Sequence, residues 1–132
     1  MSATASATAI PQVAIIDDDE SLCRSLGRLL RLAGYRFSIY HSAEQFMADG
    51  ARADFACLLV DIQLGGMSGL EMQEHLAAEG SRVPVIFITA HDEPVMRAQA
   101  SRGGCAGFFG KTESGARILD AIDQALAAGA GR

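Results

Sequence analysis

The chain has 132 residues, 49% of them hydrophobic and 20% charged, with a formal net charge of -5. That is the size of one domain, large enough to bury a core and too apolar for a disordered chain. The acidic balance argues against non-specific binding to nucleic acid or to an anionic membrane surface, and no apolar run reaches the length of a membrane span.

Residues 1–12 are rich in Ala, Ser and Thr and have neither a basic start nor an apolar core. They read as a flexible tail rather than a signal peptide. Cys23, Cys57 and Cys105 form no CxxC pair and have no histidine at ligand spacing. They read as reduced, packed thiols in a cytoplasmic protein.

Val13 to Ile16 is a short apolar run, the first expected strand, and it ends in Asp17-Asp18-Asp19-Glu20. Leu22, Leu26, Leu29, Leu30 and Ala33 follow at helical spacing and Gly34 closes the helix. Asp19 and Glu20 are expected in its first turn, where the helix dipole favours them. Tyr35 to Tyr40 alternates and is rich in aromatic and β-branched residues, a second strand. Ser42-Ala43-Glu44-Gln45 fits a capping box opening a short helix, and Gly50 to Ala53 reads as a loop.

Phe55 to Val60 is an apolar run that stops at Asp61, the pattern of a strand buried on both faces. Gly65-Gly66 is a loop, and Ser68-Gly69-Leu70-Glu71 a second capping box for a helix ending at Gly80. Val83 to Thr89 is a fourth strand, with Pro84 near its start. Asp92-Glu93-Pro94 starts a polar helix through about Ser101. Ala106 to Phe109 is a fifth strand, and Thr112 is expected to cap a last helix carrying Ile118, Leu119, Ile122 and Leu126. The domain is expected over 13–127, with a frayed tail over 128–132. Strands alternating with helices call for an α/β fold, a doubly wound parallel sheet with helices on both faces.

Four strands end in polar residues: Asp17 and Asp18, Asp61, Thr89, and Lys111 just past the fifth. In a parallel sheet these share one rim, the rim where open α/β sheets bind ligands. Carboxylates brought together raise one another's pKa unless a cation joins them. An all-oxygen site with few protein ligands suits Mg²⁺. Lys111 and Thr89 would serve an incoming phosphoryl group as charge and hydroxyl donor, and an aspartate can be the nucleophile that receives it. Each part alone has a plainer reading. The acidic run is a helix N-terminus, Thr89 a loop hydroxyl, Lys111 a solvated charge, and His75 and His91 ordinary surface histidines. The combination is the specific signal, because each residue closes a different apolar strand.

On Ile15-Ile16-Asp17-Asp18-Asp19-Glu20, Leu59-Val60-Asp61, Met67-Ser68-Gly69-Leu70-Glu71, Ile88-Thr89-Ala90 and Gly107-Phe108-Phe109-Gly110-Lys111, the chain resembles the receiver domain of two-component response regulators. His41-Ser42-Ala43-Glu44-Gln45-Phe46 is similar to receivers of the FixJ type. The resemblance implies a CheY-like, flavodoxin-like sheet of five strands in order 2-1-3-4-5 with five helices. It implies Asp61 as phosphoacceptor and Mg²⁺ on Asp18, Asp61 and the Gln63 carbonyl, with Asp17 orienting the metal's waters. Thr89 and Lys111 would meet the phosphoryl group, and Phe108 would turn inward as Thr89 moves, though a plain core phenylalanine fits the same position. Gln63 and His91 would flank the attacking water and set the lifetime of the phosphoryl group. The implied partners are a sensor histidine kinase and a downstream effector or output domain, with a phosphorylation-dependent homodimer in view, and neither DNA nor membrane directly. The only chemistry expected is self-catalysed transfer to Asp61 and its hydrolysis. The chain is then a single-domain regulator or the receiver part of a longer one.

Two positions depart from the family pattern. Thr112 stands where a proline with a cis bond is usual, so a trans peptide is expected. Gly65 replaces another proline and loosens the loop after Asp61. These departures keep a pseudo-receiver, an interaction module that takes no phosphate, as one alternative. A haloacid-dehalogenase-like phosphatase with Asp17 as nucleophile is another. A flavin-binding module is disfavoured because no Gly/Ser/Thr-rich phosphate loop follows the first strand.

Overall fold

The computed structural model describes residues 10–90 and 93–130, with side chains through residue 128. The elements are β1 (Gln12–Ile16), α1 (Glu20–Leu32), β2 (Arg36–Tyr40), α2 (Ala43–Ala48), a 3-10 turn (Arg52–Asp54), β3 (Cys57–Val60), α3 (Gly69–Ala78), β4 (Val85–Thr89), α4 (Pro94–Arg102), β5 (Gly107–Gly110) and α5 (Gly115–Ala130). All four strand pairings are parallel, in the order β2-β1-β3-β4-β5. This is the order that the resemblance implies.

The period-two pattern of the strands divides the core. Ala14, Ile16, Leu58, Val60 and Phe87 face one way and pack with Phe46 of α2, Met72 and Leu76 of α3, and Ala100 of α4. Val13, Ile15, Cys57, Leu59, Ile86 and Ile88 face the other way and pack with Leu26 and Leu30 of α1 and Ile118 and Ile122 of α5. β1, β3 and β4 are therefore covered on both sides, as their unbroken apolar runs require. Each large side chain so buried contributes roughly 1.5–3 kcal/mol relative to exposure.

Helix ends follow the local sequence. α1 closes in a Schellman turn at Gly34, which takes φ 90; there the Gly34 N–H donates to the Arg31 carbonyl and the Tyr35 N–H to the Leu30 carbonyl. That bond occupies Tyr35 and delays β2 to Arg36. At α3 the capping box is complete, with Ser68 and Glu71 each accepting the other's backbone N–H. At α2 it is half built: the Ser42 hydroxyl accepts from the Gln45 N–H, but the Gln45 carboxamide reaches one residue further back, to the His41 N–H.

Three expectations are corrected. Gly50 to Ala53 is not all loop, because the Asp49 carboxylate accepts the Ala51 N–H and winds the chain into the Arg52–Asp54 turn. Thr112 does not cap α5; the Ser114 hydroxyl accepts the Arg117 N–H two residues further on. α5 continues to Ala130, past the fraying expected from residue 128. The expected tail falls outside the described residues over 1–9, while Gln12 already belongs to β1. His91 and Asp92 also lie outside them.

Candidate phosphorylation site

The rim is assembled by register. Ile16 pairs with Val60, so the next residues, Asp17 and Asp61, emerge side by side. The Asp61 N–H donates to the Ile16 carbonyl and the Asp17 N–H to the Tyr40 carbonyl, each at 3.0 Å, extending the ladders by one rung. Asp17 and Asp61 are 3% and 5% exposed, and Asp18 faces solvent. Carboxylate oxygens of Asp17, Asp18 and Asp61 all lie within 4.8 Å of one another.

Lys111 closes the cluster. Its Nζ is 3.2 Å from Asp61 Oδ2, 3.4 Å from Asp17 Oδ2 and 3.7 Å from Asp19 Oδ2. Its own N–H donates to the Thr89 carbonyl at 3.0 Å, and Thr89 pairs with Gly110. The last residue of β4 therefore places the lysine, and Thr89 itself is fully buried. The Gln63 N–H donates to Asp61 Oδ1 at 3.2 Å, which turns the outgoing loop back over the carboxylate. The peptide between Lys111 and Thr112 is trans, as expected.

Burial is the main reason that the Asp17 carboxyl is raised to about 6; the Asp19 N–H pulls it down, Asp61 pushes it up and Lys111 pulls it down. For Lys111, burial acts to lower the pKa, but attraction to Asp17 and Asp61 outweighs it and the ammonium is held above its ordinary range. Two buried carboxylates and an exposed third, one of them driven toward neutrality, form a donor set that a hard divalent cation fits. Asp17, Asp18 and Asp61 could hold it, and the last turn outward through Gln63 lies beside them.

Several contributors were not visible in the sequence. Asp19 is the N-cap of α1 rather than a first-turn residue: its carboxylate accepts the Leu22 N–H, its own N–H donates to Asp17 Oδ1, and it is the third carboxylate on Lys111. The Asp17 carbonyl is met by Cys23 Sγ at 3.4 Å and His41 Nδ1 at 3.3 Å. Gly69, at the start of α3, lies so near the strand end that a Cβ there would sit 2.4 Å from the Asp61 carbonyl oxygen. The Ser68-x-x-Glu71 spacing signals a cap, not this approach. Phe108 is 8% exposed, tilted against Phe87 at 6.2 Å. Arg97 of α4 covers it, with the guanidinium 4.5 Å above the ring and Nη1 donating to the Phe108 carbonyl. Cys23, Cys57 and Cys105 are unpaired, and the first two are buried.

The fold and this rim define a class: a CheY-type domain with an acidic cluster and a lysine at the carboxyl edge of its sheet. Residues 13–123 match the response regulator receiver domain family. The chain belongs to that family, and it is a receiver domain of two-component signalling. It is 36% identical over 112 residues to the response regulator protein TmoT of Ectopseudomonas mendocina, covering 85% of this chain and 51% of that protein. It is 33% identical over 114 residues to the transcriptional regulatory protein FixJ of Azorhizobium caulinodans, covering 86% and 54%. Among solved structures, response regulator StyR superposes with a TM-score of 0.84 at 39% identity, over 94% of this chain and 63% of that one. The structure titled FixJ-N superposes with a TM-score of 0.80 at 30% identity, over 91% and 96%. The chain spans about half the length of the curated relatives it matches. The family match displaces the phosphatase and flavin readings. Among the described residues, no helix is long and apolar enough to cross a membrane.

Proposed function

We propose that Asp61 accepts a phosphoryl group from a sensor histidine kinase and that the resulting charge switches the surface built by α4, β5 and α5. The observation that carries this reading is the Asp17, Asp18 and Asp61 cluster with the Lys111 ammonium 3.2 Å from Asp61. In the transfer an Asp61 oxygen bonds to phosphorus as the phosphorus–nitrogen bond to the donor imidazole breaks. Asp61, Asp18 and the Gln63 carbonyl would hold Mg²⁺, with Asp17 beside them to orient its waters. When bound, Mg²⁺ neutralises the charge that builds on the phosphoryl oxygens. Lys111 keeps one further positive charge on the same side, and Thr89 offers its hydroxyl to the transferred group.

Because Thr89 and Gly110 are paired, a movement of Thr89 toward the phosphoryl group is felt along β5 at Phe108, beneath Arg97. The phosphorylated and free states differ in these contacts, which is what a population shift requires. Gln63, and His91 outside the described residues, set the lifetime of the acyl phosphate. The partners are a histidine kinase and an effector or output domain in the cytoplasm, with a second copy of the domain engaged on phosphorylation.

The test is incubation with acetyl phosphate and Mg²⁺, read by intact mass. Wild-type protein gains one phosphoryl group, Asp61→Asn gains none, and Asp17→Asn still labels, more slowly. Labelling that survives in Asp61→Asn overturns the assignment. Wild-type protein that never labels makes the chain a pseudo-receiver.

A further inference from the structure

The loop leaving Asp61 must hold Gln63 in place, yet its middle is Gly65-Gly66, where the backbone has most freedom to lose. The loop is pinned at its near end by the Gln63 N–H on Asp61 Oδ1. Its far end is pinned from a different part of the chain. Glu44, in the first turn of α2, extends its carboxylate across so that Oε2 accepts the Met67 N–H at 2.7 Å. That bond is the largest cause holding the Glu44 carboxyl below its ordinary range. Gly66 lies directly under the carboxylate: a Cβ built there would meet Glu44 Oε2 at 2.4 Å. Gly66 also takes φ 79, a left-handed value that other residues adopt poorly. The glycine is thus needed twice, for its backbone and for the space that the carboxylate fills.

We propose that Glu44 is a positioning residue of the phosphorylation site, a latch that restrains the Gln63–Met67 loop from α2. It rests on the function proposed above. Without the latch, Gly65, Gly66 and Met67 regain dihedral freedom, and the loop keeps only the Gln63 N–H on Asp61, the buried Leu64 side chain and the Gly69 N–H on the Ile62 carbonyl. The latch supplies by a charged hydrogen bond the restraint that a proline at position 65 would supply by covalent means. At Gly65 φ is not positive and a Cβ would meet no atom within 4 Å, so neither feature bars a proline there.

A plainer role for Glu44 is that of an acid stabilising the N-terminus of α2. Amide exchange on the full chain separates the two. In Glu44→Ala the Met67 amide is expected to exchange about tenfold faster, while the amides of Phe46 and Met47 change far less. Phosphorylation by acetyl phosphate with Mg²⁺ is expected to slow by about threefold to tenfold. Glu44→Gln, which keeps an acceptor oxygen, falls between. Glu44→Ala combined with Gly65→Pro recovers the phosphorylation rate without recovering protection at Met67. An unchanged Met67 amide in Glu44→Ala overturns the latch, whether or not the wild-type protein labels. A faster Met67 amide with unchanged phosphorylation overturns its positioning role. Wild-type protein that takes no phosphoryl group overturns the underlying function and is recognised without any variant.

Discussion

Lys111 is the counterion that lets three acidic side chains from two strand ends share one rim. Replacing it with methionine removes the ammonium that pairs with Asp17, Asp19 and Asp61. Lys111→Met is expected to bind Mg²⁺ several-fold more tightly, because the ion no longer competes with an ammonium. The same variant is expected to label with acetyl phosphate at least tenfold more slowly, because the transferred group has lost a positive contact. Metal titration followed calorimetrically, set beside the labelling rate, checks both directions in one variant. Asp17, Asp18, Asp61, Thr89 and Lys111 were all legible in the sequence, because each closes an apolar run and a parallel sheet brings such ends together. Asp19 and Glu44 were legible only as helix-start residues. Nothing in local spacing tells that a capping carboxylate also faces a lysine 92 positions away or a loop amide 23 positions away.

At the scale of elements, α3 presses on the site through its first residue. Gly69→Ala would place a methyl group 2.4 Å from the Asp61 carbonyl oxygen and 2.9 Å from Val60 Cγ1. Backbone has to move, so a loss of roughly 1–3 kcal/mol in stability is expected, read by urea denaturation. Phosphorylation should suffer beyond what that loss accounts for, since the displaced group belongs to Asp61. At α4, Arg97→Ala removes the cover over Phe108 and is expected to lower stability by about 0.5–1 kcal/mol. A probe of the Phe108 ring by NMR should report a changed environment before any phosphate is added. Most element ends were readable to within a residue or two; the Arg52–Asp54 turn was not, and α5 runs three residues past its expected end. Misplacements came where side chains compete for backbone groups: Asp49 winding the Arg52 turn, and Ser114 rather than Thr112 taking the α5 N–H. Several residues near each of these ends offer an acceptor, and spacing alone does not choose among them.

For the whole molecule, the acidic rim links stability to pH. Asp17 titrates at about 6 in the fold against an ordinary 3.8, so between those values the folded chain holds more protons than the unfolded one. From this group, stability is greatest below pH 4 and falls as pH rises through 6, by on the order of 2–3 kcal/mol. Lys111 has a profile of the same sign in a higher window: its raised pKa supports the fold through neutral pH, and that support is lost as pH rises through the alkaline range. Urea denaturation without divalent metal should therefore show a lower midpoint at pH 7 than at pH 4.5, once Asp17→Asn is used to isolate this residue's share. Mg²⁺ should raise the midpoint more at pH 7 than at pH 4.5, where protons compete for the same oxygens.

The reach of one ammonium to Asp61, Asp17 and Asp19 has a bearing on timing. Without a dication, Asp61 already lies beside a tethered cation that cannot diffuse away. A metal that competed with the ammonium for these oxygens would free a side chain that stays within reach. On the proposed function, the domain thus keeps its own understudy on stage: the group beside the resting aspartate is the one on hand to greet the phosphoryl oxygens.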